Sequence, residues 1–467
     1  MGIQLKNKAM DVAMKIKKLG QDDPRRIIHS IKVGVALTLV SLFYYWKPLY
    51  DGFGASGIWA VITVVVIFEF TVGATLSKGL NRGLGTMLAG ALGVGVDYLA
   101  NLSGQKGEPF VLGIFVFLIA ASATFSRFFP GIKARYDYGV LIFILTFSMV
   151  SVSGYRVDEF LTMAHQRLAT ILVGGAICII VSIVVCPVWA GETLHNSIIS
   201  NINKLANYLE GFGGEYFHCS DEHVTIPEKD KPFLQEYKVV LNSKSTEDSM
   251  ANFARWEPRH GNFGFRHPWK HYLKIGSVAR QCAYHIEALN FHLSPHQLQE
   301  PSQFRRMLEV PCKTISSESG KALKALATAM KKMTDPSPSS QLHLNAAKSA
   351  VNDLKNTLKS GTTQISDDIS NLLAIIPDAT VASILIDIVK SVEDLSEAVA
   401  ELSLKAKFKR VSPEKPQLLH KGTIKPFVEE DDNVEAQQQP HVVITVKEIE
   451  NNNDEDLRVN KKPGFLF

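Results

Sequence analysis

Up to about residue 190 the chain runs in long apolar stretches with brief polar breaks; beyond that the pattern becomes amphipathic. Apolar runs at 30–46, 56–76, 80–100, 110–129, 138–155 and 168–189 are each suited to cross a bilayer as a helix. The short turns between them pair the runs into three helical hairpins. After Pro187 and Trp189, the residues Leu194, Ile198, Ile202, Leu205 and Leu209 recur at helical spacing over 190–218, as if the last apolar run passed its direction to the next helix. Pro268 opens an amphipathic segment at 269–293, and helical patterns follow over 301–333, 340–359 and 378–409, with 362–376 as a weaker piece. Each of these has one apolar face and must bury it against the others. The expected fold is all-α: a polytopic membrane domain of six transmembrane helices in three hairpins, followed by a cytosolic helical bundle. Four regions result: a basic N-terminal arm (1–29), a six-span domain (30–189), a cytosolic helical domain (190–409) and an acidic, proline-containing tail (410–467). The tail composition reads as disorder, with HVVITVKEI at 441–449 able to pair as a short strand with a partner.

Charge orients this arrangement. Residues 1–29 hold seven Lys or Arg against three Asp, and no apolar core with a small-residue cleavage site follows as in a signal peptide. Lys6 stands where a myristoylation signal at Gly2 wants Ser or Thr. Lys78 and Arg82 in a predicted 77–83 turn, and Arg127, Lys133 and Arg135 in a 127–137 turn, share the sign of the arm. The turns near 47–55 and 101–109 are balanced, so both termini are expected in the cytosol. A net charge of +4 with no basic-aromatic pattern excludes nucleic acid as a partner. The five cysteines show no paired ligand spacing, and no phosphate loop, zinc-binding helix or serine elbow is present, so neither an enzyme nor a cofactor is expected.

Ionisable residues within or beside the spans carry the candidate chemistry: Lys32, Glu69, Lys78, Arg82, Asp97, Arg127, Arg156 and Arg167. A charge facing lipid is expensive, so such groups turn to protein or water, and their cationic surplus would attract anions into a water-filled path. Snorkelling to the headgroups accounts equally well for any one of them. Arg156 and Arg167 fall on the predicted outer side, where positive-inside bias gives no reason for them. Lys78 and Arg82, four apart, share a helical face. Gly83, Gly85, Gly90, Gly93 and Gly95 permit close helix contact or line a narrow space.

Four motifs carry a resemblance: DDPRRIIHSIKVG at 22–34, WAVITVVVIFEFTVGATLSKGLNRG at 59–83, YDYGVLIFILTF at 136–147 and FARWEPRHG at 253–261. Over about residues 20–409 the sequence resembles the plant aluminium-activated malate transporters, with Trp256, Glu257 and Pro258 matching that family's cytosolic Trp-Glu-Pro signature. The resemblance implies an anion channel: a homodimer of six-span subunits in a lipid bilayer, conducting malate and some inorganic anions. Carried onto this chain, it makes Lys78, Arg82, Arg127, Arg135 and Arg167 the pore candidates, with Lys32 and Arg156 after them. It also implies malate efflux at the plasma membrane, with the vacuolar membrane as runner-up. Asp51, Asp158 and Glu159 would offer hard oxygen ligands to an extracellular aluminium ion, or are ordinary solvated acids or partners of Arg156 and Arg167. Two other functions stay open: a coupled secondary transporter using Glu69 and Asp97, and a membrane-anchored interaction scaffold.

Overall fold

The computed structural model describes residues 23–45, 57–154, 160–217, 232–264, 266–293, 303–364 and 369–409, with scattered positions between 8 and 21. Among them the regular elements are helices, and the strand-like pairings are two isolated bridges, His260 with Phe263 and Thr334 with Lys409. The apolar half forms α1 (Pro24–Tyr45), α2 (Ile58–Ile67), α3 (Val72–Asn101), α4 (Gly104–Ser126), α5 (Pro130–Gly154) and α6 (Phe160–Val184). Helix α3 is its axis, packed along α5 and α6 and against α4, while α1 and α2 lie on α6. Val72–Asn101, Lys106–Ser126 and Pro130–Val152 are long and apolar enough to cross a membrane, and Ile58–Ile67 and Leu168–Val184 are shorter apolar helices. On α4, Phe110, Ile114, Phe117 and Leu118 point outward and bare. So wide an apolar surface is a liability in water and an asset in lipid or against another subunit. A Cβ on Gly85 would stand 2.7 Å from the Gly139 carbonyl oxygen, so the glycine sets how closely α3 and α5 approach.

The boundary between the second and third apolar runs differs from the sequence reading. The break falls at Phe68–Thr71 and not at 77–83, which places Lys78 and Arg82 inside α3 and not in a turn. Hydropathy dips where these polar residues occur, but the backbone is decided at the helix start. Thr71 accepts from the Ala74 N–H at 3.3 Å as N-cap, and the Val72 N–H reaches the Val188 carbonyl at 2.9 Å. The Thr75 hydroxyl accepts from the Glu69 N–H at 3.1 Å, holding the unwound residues against the first turn.

The polar half comprises α7 (Ala190–Tyr216), the short α8 (Tyr237–Leu241), α9 (Lys244–Ala254), α10 (Trp269–Phe291), α11 (Gln303–Lys332), α12 (Ser337–Gln364) and α13 (Ile369–Ala406). Leu194, Ile198, Ile202, Leu205, Tyr208, Leu209 and Phe212 of α7 are fully buried, which makes α7 the central rod. Each Leu or Ile so buried contributes about 1.5–3 kcal/mol. Helix α11 packs along α7 and α12, and α10 along α13. The expected piece at 362–376 is shared between the end of α12 and the start of α13. Buried ions are matched: Arg305 donates to Asp378 at 2.8 Å, the Tyr216 hydroxyl to the same oxygen at 2.6 Å, and Arg280 pairs with Glu247. The apolar run does not pass its direction directly into α7. A break separates α6 from α7, with Cys186 in left-handed backbone (φ 44°) before Pro187, which lacks the N–H a continuing helix needs. The tail and its strand at 441–449 lie outside the described residues.

Two histidines give this half a pH signature. Burial holds His195 and His267 at about 4, below the ordinary 6.5, with His195 and His260 adding like charge against His267. The unfolded chain takes up these protons first, so the stability they support is complete above about pH 6.5 and is lost as pH falls towards 4. The melting midpoint of the purified chain should fall across that window, and His195→Asn should flatten the slope; a slope unchanged in the variant would reject the assignment.

Candidate functional site

The two halves meet at one carboxylate. Glu257 follows the end of α9 in a turn that buries its side chain to 1% exposure. Its Oε1 accepts the Gly73 N–H at 3.2 Å and the Ala190 N–H at 2.5 Å, and its Oε2 accepts the Gly191 N–H at 3.0 Å. These are first-turn amides of α3 and α7, which have no partner within their own helices. A negative charge at two helix N-termini is favoured by both dipoles. Burial nevertheless pushes the Glu257 carboxyl above the usual carboxylate range, against the opposing pull of the three N–H donors and His260. The fit leaves no room: a Cβ on Gly73 would meet the Phe253 carbonyl oxygen at 2.5 Å, and one on Gly191 would strike the Trp269 indole.

The rest of the signature seals this joint. Trp256 packs edge-on against Tyr136 of α5, with centroids 6.3 Å apart, and the Asn252 amide donates to the Ala134 carbonyl at 2.6 Å. The Pro258 carbonyl lies 2.9 Å from His260 Nδ1, and the His260 ring stacks on Trp189, the residue before α7, at 4.0 Å and 8°.

The cationic candidates have separate fates. Lys78 and Arg82 converge on Tyr138 of α5: the Lys78 ammonium stands 5.7 Å from the ring centre, and Arg82 donates to the hydroxyl at 3.2 Å. Lys78 is also paired with Glu69. Arg82 is 5% exposed, and its Nε has no hydrogen-bond partner. Lys32 in α1 is 2% exposed, and among the described residues no carboxylate pairs with it. Arg127 is bound two-pronged to Asp137, at 2.7 and 3.2 Å, so its charge is matched locally. Arg135 is exposed at the start of α5, where its carbonyl accepts the Asn81 amide at 3.0 Å. Arg167 belongs to α6, but its side chain, together with Arg156, Asp51, Asp158 and Glu159, lies outside the described residues. Sequence reasoning missed Tyr138, the meeting point of two candidates, because an aromatic in an apolar run reads as packing. It also missed Gly73 and Gly191, whose signal was their place just after a helix start.

Helices of membrane length and apolar composition, with a polar helical half latched to their axis, define a helical membrane protein among the described residues. A family model described as aluminium activated malate transporter matches residues 17–371. Aluminum-activated malate transporter 2 of Arabidopsis thaliana is 48% identical, covering 96% of this chain and 88% of its own length. Aluminum-activated malate transporter 1 of Triticum aestivum is 46% identical over 87% of this chain and 88% of its own length. The chain belongs to the aluminium-activated malate transporter family.

Glu257→Ala would orphan three buried N–H groups at a cost of about 1–3 kcal/mol each. Hydrogen exchange at Gly73, Ala190 and Gly191 should accelerate about ten- to a hundredfold, with Glu257→Gln intermediate. Unchanged exchange at these three amides would show that the carboxylate does not hold the helix starts.

Proposed function

We propose that this chain is an anion channel passively conducting malate and some inorganic anions, releasing malate across the plasma membrane. In this reading residues 30–189 are the six-span domain and 190–409 a cytosolic domain, both termini are cytosolic, and two copies form the working unit. The observation that carries it is Arg82, a buried guanidinium in an apolar helix pair that donates to a neutral hydroxyl and, among the described residues, pairs with no carboxylate. A buried cation without a counter-ion is costly, and a passing anion supplies the missing charge. Lys32 poses the same demand. Lys78 and Arg127, already matched by Glu69 and Asp137, add less to the field. Two relatives named as malate transporters support malate as the anion. The acids Asp51, Asp158 and Glu159 remain the candidates for an extracellular aluminium site.

Reconstituted protein should pass current that reverses at the potential set by the malate gradient, with no dependence on a proton gradient. Arg82→Gln should lower malate current about tenfold or more, corresponding to ~1.4 kcal/mol of lost anion stabilisation. Absence of anion current from the unaltered chain would sink the channel reading; full current in the variant would sink only the place of Arg82 in it.

A further inference from the structure

Next to the Glu257 latch, the loop from α9 to α10 and the first turn of α10 enclose a cavity of about 390 Å3. Its basic wall is Arg255, Arg266 and Lys270, all three partly open to solvent; Phe263, Trp269, Pro258 and Pro268 make it apolar elsewhere. Among the described residues no carboxylate pairs with Arg255 or Lys270. Burial, with the neighbouring Arg135 guanidinium adding like charge, pulls Arg255 below its ordinary range. Glu257 lines the cavity too, but its oxygens are spent on three backbone N–H groups.

Two buried ring nitrogens on the lining lack hydrogen bonds, His260 Nε2 and His271 Nδ1. The His260 side chain is 9% exposed, and its Nε2 stands 3.8 Å from Glu257 Oε2, beyond hydrogen-bond reach. Buried polar atoms without partners mark a place where a ligand is owed. A basic wall suits a negatively charged ligand, and arginine forks suit carboxylates. Apolar walls between the basic groups suit a short carbon skeleton, and the volume lies in the range of ~300–1,000 Å3 usual for small-molecule sites.

We propose that this cavity binds a small organic di- or tricarboxylate, separately from the conduction route, and that occupancy is felt at the latch through His260. That side chain lines the cavity, adjoins Glu257 and stacks on Trp189 at the start of α7. The same physical joint thus serves as a ligand site and as the tie between the halves.

Citrate titrated into the full-length chain in nanodiscs, followed by intrinsic tryptophan fluorescence at constant ionic strength, tests this. Saturable change is expected with citrate and not with chloride or inorganic phosphate. Arg255→Gln combined with Lys270→Gln should raise the half-saturating citrate concentration at least tenfold, and His260→Gln should weaken it with both basic groups in place. Arg82→Gln should leave it unaltered. Citrate titration identical in the double variant, or reproduced by phosphate or chloride, would overturn the site. Binding is read without current, so a chain that binds citrate but carries no anions would overturn the channel reading and leave this one standing.

Discussion

Helix starts carry amide groups that their own helix cannot satisfy, and burying them without acceptors is among the costliest errors a chain can make. Here the starts of α3 and α7 are both buried, from segments more than a hundred residues apart in sequence, and one carboxylate serves both. Much of the architecture follows from this. The unwound Phe68–Thr71 segment, the break around Cys186 and the turn after α9 must come together around two oxygens. The two glycines keep the approach open, and the Trp189–His260 stack covers one side of it.

The same accounting separates the charges of the apolar half. An ion pair such as Lys78 with Glu69 or Arg127 with Asp137 is a local solution that cancels its own field at a distance. Among the described residues Arg82 and Lys32 have no such carboxylate, so their cost is borne by the fold as a whole. Packing holds them in place: Tyr138 gives Arg82 a hydrogen bond without cancelling its charge. A neutral partner fixes position and leaves the potential intact, which is the combination an electrostatic function requires.

Much of this was legible in the chain itself. Apolar periodicity located α7, α10 and α11 closely, since each must bury a continuous face. The helices of the apolar half were also visible, but hydropathy misplaced the start of α3, because a window average cannot see a cap. Thr71 and Gly73 were the available signal, and their meaning depends on an acceptor in residue 257 that no local pattern connects to them. The pairing of Arg127 with Asp137 was within reach, ten residues apart across a turn. That Arg82 has a neutral hydroxyl and, among the described residues, no carboxylate beside it was not, because neighbours in space are not neighbours in sequence. The Trp-Glu-Pro words marked the joint by family resemblance without disclosing that its centre grips backbone and not side chains.

The contact at Gly85 has a mechanical corollary. Where backbone is pressed to backbone at Gly85, α3 and α5 have no side-chain cushion along which to slide, which favours their moving together. Trp256 and Asn252 fasten the polar half to the start of α5, and Glu257 fastens it to the start of α3. The polar half therefore holds this two-helix pair by its end, and a shift within the apolar half is left to the helices around it.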